Sequence, residues 1–201
     1  MSEVSTDKKL KGKDLITIGI FSAIYFVINF IFMVSGGIHP ILWVLMPGTI
    51  ALFAGIPYML MAAKVQKPGA VFLMGLITGL IYFATGQFTV VILISMVVSC
   101  VLAEITRTAT RYSSFKGNSV SYLFFSYGMV GSPLPIWLFK ERFLSQISEQ
   151  GLPSDYVSAV EALSSNYMLI VLFVAPAIGA IIGAYIARGL FRKHFVKAGI
   201  V

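Results

Sequence analysis

Leu15–Val34 reads LITIGIFSAIYFVINFIFMV, twenty consecutive residues without a charge. A helix rises about 1.5 Å per residue, so such a stretch spans the roughly 30 Å hydrocarbon core of a bilayer. Lys8, Lys9, Lys11 and Lys13 precede it, which is also how a secretory signal opens. A signal's apolar core is only about 7–15 residues long, and no A-x-A-like cleavage site follows this run. The stretch is therefore expected to be retained as a membrane-crossing helix.

Five further apolar runs follow. The turn Ser35 to Pro40 leads into Ile41–Ala63, which Pro47-Gly48 and Gly55-Ile56-Pro57 interrupt. Proline lacks the backbone donor and clashes with the preceding turn, so this run is expected to be kinked or broken. Residues 64–69 return the chain to a third run ending near Thr85, and Gly86-Gln87 turns it into a fourth, Phe88–Ile105. A fifth spans about Val120 to Phe139, with Gly131-Ser132-Pro133-Leu134-Pro135 late in it. Lys140–Ser165 is the one long polar connection. Its Leu144, Ile147, Tyr156, Val157, Val160 and Leu163 recur at roughly helical spacing, which predicts one or two short interfacial helices. The sixth run is Tyr167–Ala187. The expected fold is an all-α membrane protein with six transmembrane helices. A basic segment (1–14), one transmembrane domain (15–187, with the 140–165 loop outside) and a second basic segment (188–201) make up the chain.

Composition agrees with this reading. Of 201 residues, 58% are hydrophobic and 11% charged, against about 25% charged in a soluble domain. Thirteen of the 15 Lys and Arg lie in residues 1–14, 64–69, 107–118 and 188–201, and only Lys140 and Arg142 lie in the alternate connections. The positive-inside rule then puts both termini in the cytoplasm. That topology accounts for the net charge of +7, and no nucleic-acid partner is expected. Cys100 is the sole cysteine, which excludes a disulfide scaffold or a thiolate metal site.

Small residues spaced by four let helices approach closely. Gly75 with Gly79, and Gly179 with Gly183 and Ala187, are expected to pack within the molecule. Gly19 with Ala23 either packs inward or offers a docking face to another helix. The backbone breaks gather toward the outer side, together with Asn29, His39, Trp43, Gln87, Trp137 and Asn166. These six are the candidate substrate-binding residues, since aromatic and hydrogen-bonding groups converging on one end suit a small-molecule pocket. The alternative is that they anchor the chain at the interface or meet water. Glu104, the one acid within an apolar run, is expected to form a helix-end ion pair with Arg107 or Arg111, a functional acid being the alternative.

No H-E-x-x-H, Walker A or G-x-S-x-G motif occurs. His39 and His194 fall on opposite membrane faces and cannot share a metal. No catalytic residue, metal or cofactor is expected, and transport would need energy from other subunits. A membrane-embedded enzyme acting on lipid or prenyl substrates, or a structural subunit, are the competing readings.

The length, six runs, internal termini, small-xxx-small pair in the first run and long outer connection before the sixth resemble substrate-binding S components of energy-coupling factor (ECF) transporters. The chain resembles in particular the bacterial integral membrane family called Trep_Strep, or MptD-like. That family's first-helix motif is A-x-x-x-A, and here it is Gly19-x-x-x-Ala23. The resemblance implies capture of a vitamin-like or other micronutrient from outside. It also implies docking through Gly19 and Ala23 on a transmembrane T component that carries two cytoplasmic ATPases, in a bacterial cell membrane.

Overall fold

A computed structural model describes residues 9–86 and 89–191, and every regular element among them is helical. Three helices are long and apolar enough to cross a hydrocarbon core: α1 (Gly12–Gly36), α5 (Val90–Ala109) and α10 (Asn166–Leu190). The helices α2 (Pro40–Phe53) and α3 (Gly55–Lys64) form a fourth such segment, bent by 41°. Helix α4 (Ala70–Ala84) is apolar but shorter. Helix α6 (Phe115–Ser126) passes into a 3-10 turn (Tyr127–Gly131) and the single-turn α7 (Pro135–Leu138). The long connection contains two short helices, α8 (Lys140–Glu149) and α9 (Ser154–Ala162).

The break between α2 and α3 follows from Pro57. Its ring cannot occupy a straight helix without striking the carbonyl four residues back, that of Phe53, and the bend falls at that junction. Pro47 sits within α2 without breaking it. Beside the bend, the buried Tyr122 hydroxyl donates to the Ala51 carbonyl at 2.6 Å.

Backbone proximity explains Gly179 and Gly183 of α10. A Cβ placed on Gly183 would lie 2.5 Å from the Leu52 carbonyl oxygen, and one on Gly55 would lie 2.6 Å from the Gly183 carbonyl carbon. Gly179 abuts the Gly48 carbonyl in the same seam. Between α4 and α5, Gly75 similarly makes room for the Cys100 side chain. Outward faces carry bare apolar groups, among them Ile16, Ile20 and Ile31 on α1 and Ile170, Ile178 and Ile182 on α10.

The basic end is held by two charged groups one turn apart on α5. Glu104 accepts from the backbone N–H of Gly69 at 2.8 Å and of Val71 at 3.3 Å, capping the start of α4. The fully buried Arg107 donates to the carbonyls of Ala62 and Val65 at 3.0 and 2.8 Å, capping the end of α3. Its Nε donates to Asn118 Oδ1 at 3.2 Å, and its guanidinium lies over the Tyr112 ring. Each charge complements the helix end that it meets, an anion at an N-terminus and a cation at a C-terminus. The expected ion pair of Glu104 with Arg107 or Arg111 is absent among the described residues. The unsatisfied backbone groups of two neighbouring helix ends take both charges instead. Lys67 adds a 2.7 Å ion pair to Asp14, joining the 64–69 connection to the start of α1.

Candidate functional site

At the opposite end, α8 and α9 lie over the helix ends. Their apolar sides form a second, small core in which Ile147 and Val160 are buried against Val44 and Ile136. Tyr156 reaches from α9 to α1, where its hydroxyl donates to the Gly36 carbonyl at 2.9 Å. Partial burial pushes this phenol above its usual pKa, so it stays a neutral donor.

Beneath α8 lie two adjoining cavities. The inner one, about 270 Å³, is bounded by Tyr82, Met129, Leu152, Tyr156 and the Gly36-Gly37 turn. The outer one, about 510 Å³, runs between α8 and the start of α5, where Thr89, Pro135, Arg142 and Gln146 line it. They share a wall made of Trp43, Ile92, Ser132, Phe143, Ile147 and Gln150. Together they fall within the size range of small-molecule sites. The centre of that wall is an aromatic pair: the Trp43 indole lies parallel to the Phe143 ring, 5.5 Å between centroids at 13°. The indole N–H donates to Ser132 Oγ at 3.0 Å, which fixes the ring's rotation. Close approach at Gly36 fixes its position, since a Cβ there would lie 2.9 Å from Trp43 Cβ. Another cavity, about 300 Å³, opens between α4 and α5, but its walls are apolar throughout and hold nothing to orient a polar solute.

Of the six candidate residues, Trp43 lines both cavities. Asn29 is fully buried one layer beneath the inner one. It donates to the Tyr25 carbonyl at 2.7 Å and accepts from the Tyr82 hydroxyl at 3.4 Å, so it reaches the cavity only through Tyr82. Trp137 packs on the second core, and its indole N–H donates to the Ser165 carbonyl at 3.1 Å. His39 is exposed and caps α2, its Nδ1 accepting from the Ile41 N–H at 3.2 Å. Asn166 is exposed in the first turn of α10. The structure thus does not bring His39, Trp137 or Asn166 to the cavity walls, and Gln87 lies outside the described residues.

The sequence reading missed Ser132, Phe143, Gln146, Gln150 and Tyr156. It followed only the apolar stripe of the 140–165 connection, whereas Arg142, Gln146 and Gln150 recur every fourth residue beside that stripe. The remaining pair, Gly19 and Ala23, lies on the outer side of α1. A Cβ on Gly19 would meet nothing within 4 Å, and Ala23 is exposed. No group of three or more His, Cys, Asp or Glu able to hold a metal occurs among the described residues.

A family model described as a hypothetical bacterial integral membrane protein (Trep_Strep) matches residues 12–197. The chain belongs to this family. Membership in Trep_Strep assigns the exposed apolar faces of α1, α5 and α10 to lipid. No curated protein and no solved structure matches the chain.

Proposed function

We propose that this Trep_Strep protein is the solute-capture S subunit of an ECF-type importer. It binds a vitamin-like or other micronutrient from outside and passes it on while docked to a T component with two ATPases. The observation that carries the reading is the pair of cavities roofed by α8 and α9, at the end of the molecule opposite the basic tracts. Polar and aromatic groups line it, as orientation and selectivity require.

In this reading the chain crosses the bacterial cell membrane six times, as α1, the bent α2–α3 pair, α4, α5, α6 with its continuation to α7, and α10. The 13-to-2 division of Lys and Arg puts both termini in the cytoplasm and α8–α9 outside. Transport energy comes from the partner ATPases. The Gly19–Ala23 face of α1 is open, which suits close approach of a partner helix.

Pull-down of the T component with Gly19→Leu and Ala23→Leu tests the docking. Both variants should fold and purify as the unaltered protein does, yet lose the T component. Undiminished capture by both variants would refute docking on this face.

A further inference from the structure

Arg142 is the single charged side chain lining either cavity among the described residues. The acids of α8 lie elsewhere: Glu141 and Glu149 line neither cavity, and Glu149 accepts from the Ser145 hydroxyl at 3.1 Å. Arg142 and Gln146 stand four residues apart and therefore on one face of α8, and Gln150, which caps the C-terminal end of that helix, continues the spacing. None of these three side chains has a hydrogen-bond or ion-pair partner within the described protein, although all three border a cavity. Across from them are Trp43 and the hydroxyls of Thr89 and Ser132. The Thr89 hydroxyl already accepts from the Ile92 N–H and the Ser132 hydroxyl from the Trp43 indole. Both hydroxyls still have an O–H to donate, but the charged donor bordering the cavities among the described residues is Arg142 on α8.

From this arrangement we infer that the cavity selects planar solutes bearing one carboxylate, which Arg142 pairs, with Gln146 and Gln150 serving the solute's neutral polar edge. The aromatic wall of Trp43 and Phe143 receives the planar face. A guanidinium presents a fork of N–H donors that matches a carboxylate bidentately. A single cation lining the cavities among the described residues favours a monoanion over a polyanion. The inference rests on the capture reading and adds the chemical class of what is captured.

The test uses the full chain in lipid nanodiscs and calorimetric titration with benzoate, nicotinate and 2-naphthoate, each against its own carboxamide. At least one carboxylate should bind about tenfold more tightly than its amide, the lower end for a hydrogen bond to a charged group because Arg142 is exposed. Arg142→Gln should erase that preference, and Arg142→Lys should restore part of it. Because Arg142 has no hydrogen-bond or ion-pair partner among the described residues, Arg142→Gln should purify and melt as the unaltered protein does. Equal affinity for carboxylates and amides, a preference that survives Arg142→Gln, or no binding of any of the six probes at millimolar concentration overturns the inference. Binding is read on the subunit alone and docking by pull-down, so the two proposals fail separately. A T component captured without carboxylate preference removes only the inference, and carboxylate preference without any partner removes the importer assignment.

Discussion

Adding one methyl group at Gly183 should cost much more than adding one at Gly19. The new carbon at Gly183 would lie 2.5 Å from the Leu52 carbonyl oxygen and 2.7 Å from that of Ala51, where ordinary contact begins at 3.4 Å. Both obstacles are backbone, so α10 must retreat from α2 by ~0.9 Å along the closest approach, opening a seam that Gly179 and Gly55 also occupy. Overpacking of this kind costs about 1–3 kcal/mol. Replacing glycine by alanine within a helix also contributes roughly 1 kcal/mol favourably, but this gain is common to both sites and cancels in the comparison. For a protein of this length, each kcal/mol shifts the melting temperature by about 2–4 °C. Gly183→Ala should therefore melt roughly 2–12 °C below Gly19→Ala, measured by thermal unfolding in the same detergent. Equal melting temperatures would refute the close α10–α2 packing, and a larger loss at Gly19 would make the α1 face internal.

Glu104→Ala should cost about 0.5–2 kcal/mol, as loss of a helix cap does. Glu104→Gln should cost less, since one amide oxygen still accepts from the start of α4. Equal losses would restore the ion-pair account, because both changes remove the charge. Topology can be read with an impermeant thiol reagent on intact cells in a Cys100→Ser background. A cysteine at Ser148 on α8 should label and one at Ser113 between α5 and α6 should not, and the reverse result would invert the chain in the membrane.

The apolar runs were legible because crossing a bilayer demands length and hydrophobicity, both written directly into the sequence. Proline and glycine likewise announced the broken α2–α3 segment, and the spacing of Gly179 and Gly183 announced a close seam. Glu104 was misread for a physical reason. Sequence spacing reveals a cation one turn away, but not the open N–H groups of a helix that arrives from elsewhere. His39 shows the same limit, its imidazole being taken by the turn that starts α2. The cavity wall was only partly visible, since Trp43 meets Ser132 across 89 residues of chain. Arg142, Gln146 and Gln150 were passed over because a helix lying on a protein has a wet edge beside its apolar stripe, and polar spacing alone does not tell solvent from a cavity.

Capture of a solute for shared transport machinery is tested most directly by native mass spectrometry of the protein purified from its own bacterial membrane. The account predicts an assembly of this chain with one T component and two ATPases, and a small carboxylated molecule retained on the free subunit. A chain that is always alone or self-associated, with no ATPase and no retained molecule, would contradict it.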